Sequence, residues 1–215
     1  MRAILCSLAL LLSADGLSAA TVWDEAINGD LSGVPSAPTA LTFTPGSNVV
    51  TNASVNSGDD IRDYFTFLIG PSEVLTAITL LSYTGNPGFT SINSGPTSFI
   101  PSPATAGNFL GGLHATTALV GQPLLTLLGT ASIAGTGFTP PLGPGTYSFL
   151  MQQTSGVATP YALEFQVQVV PLPAAAWLFG TGLLGLAGFR QQRRRVPARQ
   201  AGDPATPGAP GVASG

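Results

Sequence analysis

Carboxylates are the only reactive side chains that recur with a spacing worth testing. Asp24, Glu25 and Asp30 form one trio, and Asp59, Asp60 and Asp63 form a second. Either trio could furnish the two acids, about 5 to 10 Å apart across a cleft, that glycoside hydrolysis needs. The plainer reading is solvated punctuation at strand entries, because no acid/base context surrounds them. The single histidine, His114, lies in the glycine-rich stretch Gly111-Gly112-Leu113-His114-Ala115-Thr116 and reads as a solvated loop residue. Neither G-x-S-x-G nor H-E-x-x-H occurs, and a triad also needs a positioned nucleophile and orienter. We therefore expect no enzyme and no cofactor. The metal these oxygen donors would suit is calcium, which takes about six to eight of them. Asn56, Asp59, Asp60 and Asp63 lie within eight residues. Their spacing is not that of an EF-hand loop, and Arg62 among them can offset their repulsion without a metal.

Strands must position these groups. From Tyr161 to Val169 the chain alternates, with Tyr161, Leu163, Phe165, Val167 and Val169 on one face and Glu164, Gln166 and Gln168 on the other. That period predicts a strand with one buried face. Thr146 to Gln152 repeats the logic through Tyr147, Phe149 and Met151, and Thr154-Ser155-Gly156 predicts a hairpin joining the two strands. Phe65, Phe67 and Ile69 form a third such face. Val74 to Tyr83 is apolar on both sides, which predicts a strand in the middle of a sheet. Leu41 to Phe43 and Asn48 to Ser54 read as shorter strands. Between Gly85 and Gly145, 20 of 61 residues are Gly or Pro, so loops are expected there. The exception is Gly121 to Gly129, where Pro123 and the closing glycine predict one short helix whose leucines cap the sheet core.

Charge narrows the partners. From Thr21 to Val170 there is no lysine and one arginine, Arg62, against eight acids, a net charge of −7. Such a surface cannot neutralise phosphates, so nucleic acid is excluded as a partner. The chain's one cysteine, Cys6, lies near the start, ahead of this region. Disulfides, thiolate catalysis and Cys-ligated metals are therefore not expected in it.

Both ends of the chain read as export signals. Met1-Arg2, the apolar Ala3 to Leu12 and the small residues Ser18-Ala19-Ala20 have the layout of a secretory signal peptide cut after Ala20. Cys6 comes too early in it to be a lipoprotein cysteine. Ala174 to Phe189 carries no charge; as a helix it would measure about 24 Å, a marginal crossing of a hydrocarbon core about 30 Å thick. Arg190, Arg193, Arg194 and Arg195 follow, and the positive-inside rule keeps that end cytoplasmic. Gly180-Thr181-Gly182-Leu183-Leu184-Gly185 fits G-x-G-x-x-G, but the strand, amphipathic helix and downstream acid of a nucleotide site are missing. Small residues such as Gly182, Gly185 and Gly188, near Trp177, instead suit close helix packing in a membrane.

Val170-Pro171-Leu172-Pro173, the apolar run and the arginines together resemble a PEP-CTERM sorting signal, by which Gram-negative bacteria that make exopolysaccharide deliver proteins to an exosortase. Leu172 stands where that family has glutamate between the prolines, and twenty residues rich in Pro, Gly and Ala, expected to be disordered, follow Arg195. A second, shorter likeness lies upstream. Asp63-Tyr64-Phe65-Thr66-Phe67, Gly70-Pro71-Ser72-Glu73-Val74-Leu75, Leu142-Gly143-Pro144-Gly145-Thr146-Tyr147 and Tyr161-Ala162-Leu163 are similar to motifs of bacterial pre-peptidase C-terminal-like domains. That resemblance implies a jelly-roll-like β-sandwich serving as a secreted accessory or carbohydrate- and protein-binding module.

The expectation is an all-β protein, a jelly-roll-like antiparallel β-sandwich with one short helix, spanning 21–170. A signal peptide (1–20) precedes it. A sorting segment (171–195), with a transmembrane helix at about 174–189 and arginines within 190–195, follows it, and a tail (196–215) ends the chain. The expected partners are signal peptidase, an exosortase-type enzyme, the membrane and exopolysaccharide, with a structural or adhesive role at the cell surface. An inner-membrane-anchored periplasmic binding module and a polysaccharide hydrolase are the alternatives.

Overall fold

The computed structural model describes residues 19–52, 61–98, 108–130, 133, 135–153 and 159–171. All belong to a compact unit that ends at Pro171. Residues 1–18 of the signal segment, Asn56, Asp59, Asp60, the 154–156 link and everything from Leu172 onward lie outside the described residues.

Among the described residues nine strands form two sheets. They are β1 (Ala20–Asp24), β2 (Thr39–Ala40), β3 (Gly46–Asn52), β4 (Arg62–Ile69), β5 (Glu73–Tyr83), β6 (Gly88–Ser94), β7 (Phe109–Ala115), β8 (Gly145–Gln153) and β9 (Tyr161–Val169). One sheet has the order β1-β3-β9-β5 and the other β2-β4-β8-β6-β7. Most pairs are antiparallel, but β1 runs parallel to β3 and β2 parallel to β4. The sheets are thus mixed, which corrects the purely antiparallel expectation. Both parallel strands are short edge strands reached by long connections, as parallel pairing requires.

The alternating faces meet between the sheets. Phe165 of β9 is the hub, with ring centroids 5.5 Å from Phe149, 5.7 Å from Phe65, 5.5 Å from Phe67 and 5.0 Å from Phe43. The contacts to Phe65 and Phe149 are edge-on, a geometry favoured by the ring quadrupoles. Phe149 and Phe165 therefore face each other across the core, and β8 and β9 lie in different sheets. This corrects the predicted hairpin: each strand is internal to its own sheet, so both of its edges are already paired.

β5 is likewise not central. It is an edge strand, and its apolar residues fall on both parities because register shifts between Leu75 and Ala77 and between Leu80 and Ser82 switch the inward side. Leu75, Ile78, Leu80 and Tyr83 all reach the core in consequence. Its outer edge is covered: Leu75 and Leu142 exchange backbone hydrogen bonds, and Gly121 N–H donates to the Leu80 carbonyl. The edge of β7 is protected in the same way by Ile133, Thr136 and Gly137, which donate to Gly112, Phe109 and Leu110. Covering edges in this manner prevents pairing with other chains.

Helix is slightly more abundant than expected. Besides α2 (Leu124–Gly129), which buries Leu124, Leu125 and Leu128, there is a four-residue α1 (Glu25–Asn28) and a 3-10 turn at Thr117–Leu119. Asp24 caps α1, its carboxylate accepting from the Ala26 N–H. Three further corrections concern strands. Leu41 and Phe43 are buried but follow the two-residue β2 rather than forming a strand themselves. The glycine-rich interval contains two full strands, β6 and β7. His114 is solvated, as expected, but sits on β7 and not in a loop. Among the described residues no helix is long and apolar enough to cross a membrane; the 174–189 segment lies outside them.

Candidate functional site, a carboxylate cluster at one end of the sandwich

Asp63 occupies the first inward position of β4, two residues before Phe65 on the same face, so the alternation that builds the core also drives a carboxylate into it. It is 2% exposed. Sheet pairing places Asn52, at the end of β3, opposite Tyr161, at the start of β9. Both reach across to Asp63. Asn52 Nδ2 donates to Asp63 Oδ2 at 2.6 Å, and the Tyr161 hydroxyl donates to the same oxygen at 2.9 Å. A cross-strand pair of one sheet thereby clasps an acid of the other, and hydrogen bonds to an ionised acceptor are among the stronger ones.

Two more carboxylates join it. One oxygen from each of Glu25, Asp30 and Asp63 lies within 4.8 Å of the others. Glu25 is buried in the first turn of α1, while Asp30 is exposed beyond its end. The structure thus takes two members of one acid trio and one of the other. Asp24 instead caps α1, and of the proposed calcium ligands Asn56, Asp59, Asp60 and Asp63 only the last is described. The sequence carried no signal for this meeting, because the parallel β1–β3 pairing that delivers Glu25 to Asp63 leaves no local pattern.

The electrostatic imprint falls on Tyr161. Burial pushes its phenol well above the ordinary tyrosine range, and the Asp63 charge, its hydrogen bond to Asp63 and the Glu25 charge push the same way. The Asn52 amide opposes them weakly. Three carboxylates match the hard-oxygen preference of calcium and, at one oxygen each, would supply no more than half of its about six to eight ligands. For hydrolysis the arrangement is poorly placed, since Glu25 and Asp63 are buried and only Asp30 faces outward.

A cleft of about 410 Å³ lies nearby along β1, lined by Trp23, Asn28, Leu41, Thr42 and Thr44 among others. The Trp23 indole N–H is already engaged with the Gly29 carbonyl at 3.1 Å.

Compared with known proteins, the chain matches no protein-family profile and no curated sequence.

Proposed function

We propose that this is an exported protein of the cell surface or extracellular matrix, sorted by an exosortase-type system through Val170-Pro171-Leu172-Pro173 and the segment after it, with a structural or adhesive role in an exopolysaccharide matrix. The observation that supports this reading is the extent of the strand ladder. It begins at Ala20 and ends at Val169, with Val170 N–H still held by the Ser72 carbonyl at 2.8 Å. The sandwich spans the interval between the two processing points read from the sequence; cleavage after Ala20 trims only the first residue of β1, and cleavage near Pro171 leaves β9 whole. Covered sheet edges and a cysteine-free core suit a protein that works outside the cell without disulfides. The signal peptide ends at Ala20, which leaves Thr21 as the first residue of the edge strand.

Mass spectrometry of the protein from culture-surface and inner-membrane fractions tests the proposal. A mature N-terminus at Thr21 and a C-terminus near Pro171 in the surface fraction are expected. An intact arginine-bearing tail confined to the inner membrane overturns sorting and leaves an anchored periplasmic module.

A further inference from the structure

The outer face of the five-stranded sheet carries a row of side chains in direct register. Arg62 of β4 is opposite Gln152 of β8, Gln152 is opposite Phe89 of β6, and Phe89 is opposite His114 of β7. Three interstrand gaps of about 4.8 Å make the row about 14 Å long. Arg62 and His114 are exposed, and Gln152 and Phe89 are half-buried. The row therefore gathers the only arginine and the only histidine of residues 21–170 on either side of an aromatic ring. Among the described residues no acid belongs to the row; the adjacent Asp63 points the other way, into the core.

The ring is held in place. A Cβ on Gly112 would lie 2.6 Å from Phe89 Cζ and 3.1 Å from its Cε2, so the phenyl group lies down over the bare backbone of β7. The His114 imidazole meets the ring edge-on, centroids 6.1 Å apart at 76°. The next row inward, Tyr64, Leu150, Ser91 and Gly112, is buried, and Ser32 of the preceding connection pairs with Tyr64 at the outer edge of β4. The outcome is a ledge: a buried inner row on one side, a fixed aromatic surface in the middle and hydrogen-bonding groups along its length.

We propose that this ledge binds a neutral glycan chain. A pyranose presents an apolar C–H face that can lie on Phe89, while Arg62, Gln152 and His114 supply donors and acceptors to the hydroxyls of neighbouring sugars. This mixture of an aromatic surface with a few placed polar groups is what fixes a small polar ligand. Neutral glycan is favoured over polyanion because the region carries −7 overall and only one arginine. The inference deepens the matrix role proposed above, on which it rests for its setting.

The test is native affinity electrophoresis of the full-length protein in mild detergent, through gels containing dextran, hydroxyethylcellulose or galactomannan, with alginate as the polyanion. Retardation by at least one neutral polysaccharide is expected. Phe89→Ala should weaken it about tenfold, as loss of a stacking surface would, and Gly112→Ala should weaken it by displacing the ring. Arg62→Ala and Gln152→Ala, at outward positions that do not bear on folding, should each weaken it severalfold. Leu68→Ala, on an exposed site of the same strand as Arg62, should leave it unchanged. Retardation by no neutral polysaccharide, by alginate alone, or equally in wild type and all four ledge variants overturns the ledge. Failure of the ledge with processing near Pro171 intact removes the ligand and leaves sorting standing; the reverse result removes sorting alone.

Discussion

Replacing Tyr161 by phenylalanine removes one hydroxyl from the interior and keeps the ring. Asp63 Oδ2 would then keep the Asn52 donor but lose the phenol, and losing a hydrogen bond to a buried charged acceptor costs about 1.5 to 3 kcal/mol. For a domain of this size that lowers the unfolding temperature by about 3 to 12 °C at neutral pH. Alkaline pH reverses the comparison. The folded-state pKa of Tyr161 is raised above its unfolded value near 10. Its contribution is therefore fully present below about pH 10 and is lost as pH rises towards the folded value, at about 1.4 kcal/mol per pH unit. Phenylalanine has no such loss. Burial also raises Tyr64, Tyr83 and Tyr147, but these are common to both proteins and cancel. Urea unfolding followed by circular dichroism from pH 7 to 12 should show a gap of about 2 kcal/mol that closes one to two pH units above 10. Parallel stability curves across that range, or no gap at neutral pH, would refute the clasp as described.

Phe165→Ala removes the aromatic hub and should cost about 3 to 5 kcal/mol, read as the largest denaturation-midpoint shift among single core phenylalanine variants. Asn48, fully buried, donates to the Thr44 carbonyl at 2.8 Å and accepts from the Thr44 N–H at 2.8 Å; Asn48→Ala should cost about 1 to 3 kcal/mol by orphaning those groups, whereas Asn48→Asp should be no better because it loses the donor. Gly135 has φ +115°, and a Cβ there would sit 2.6 Å from the Leu110 carbonyl oxygen. Gly135→Ala should therefore lift this segment off the β7 edge, seen as faster amide exchange at Thr136 and Gly137 and as concentration-dependent aggregation.

Legibility from sequence followed strand parity. Where inward residues alternate without interruption, as in Tyr161 to Val167 and Phe65 to Ile69, strand and buried face could both be read; Val169, expected on the buried face, is exposed where β9 ends. β5 shows the first failure, since two register shifts make a one-faced edge strand look apolar on both sides. β6 and β7 show the second: Ser91, Asn93 and Gly112 are buried on the outer face beneath covering chain, so polar and glycine residues occupy positions that alternation assigns to solvent. Pairing partners were the third, because identical amphipathic patterns serve a hairpin and two strands facing each other across a core. The carboxylate cluster was half visible for the same reason. Its acids stood out by type, yet which of them meet depends on a parallel pairing between segments 27 to 28 residues apart along the chain, as from Asp24 to Thr51 and from Ala20 to Asn48.

β9 lies between β3 and β5, and β8 between β4 and β6. The two strands at the middle of their sheets are thus the last of the described strands to be synthesised. Until residues 145–169 arrive, the earlier strands have edges without central partners, and neither half of the aromatic core can close. On the proposed export route, a chain threaded outward from its N-terminus stays open, and so competent for passage, until residues 145–169 have emerged. On that route, completion of the fold and arrival of the apolar run that follows in the sequence are set close together in time.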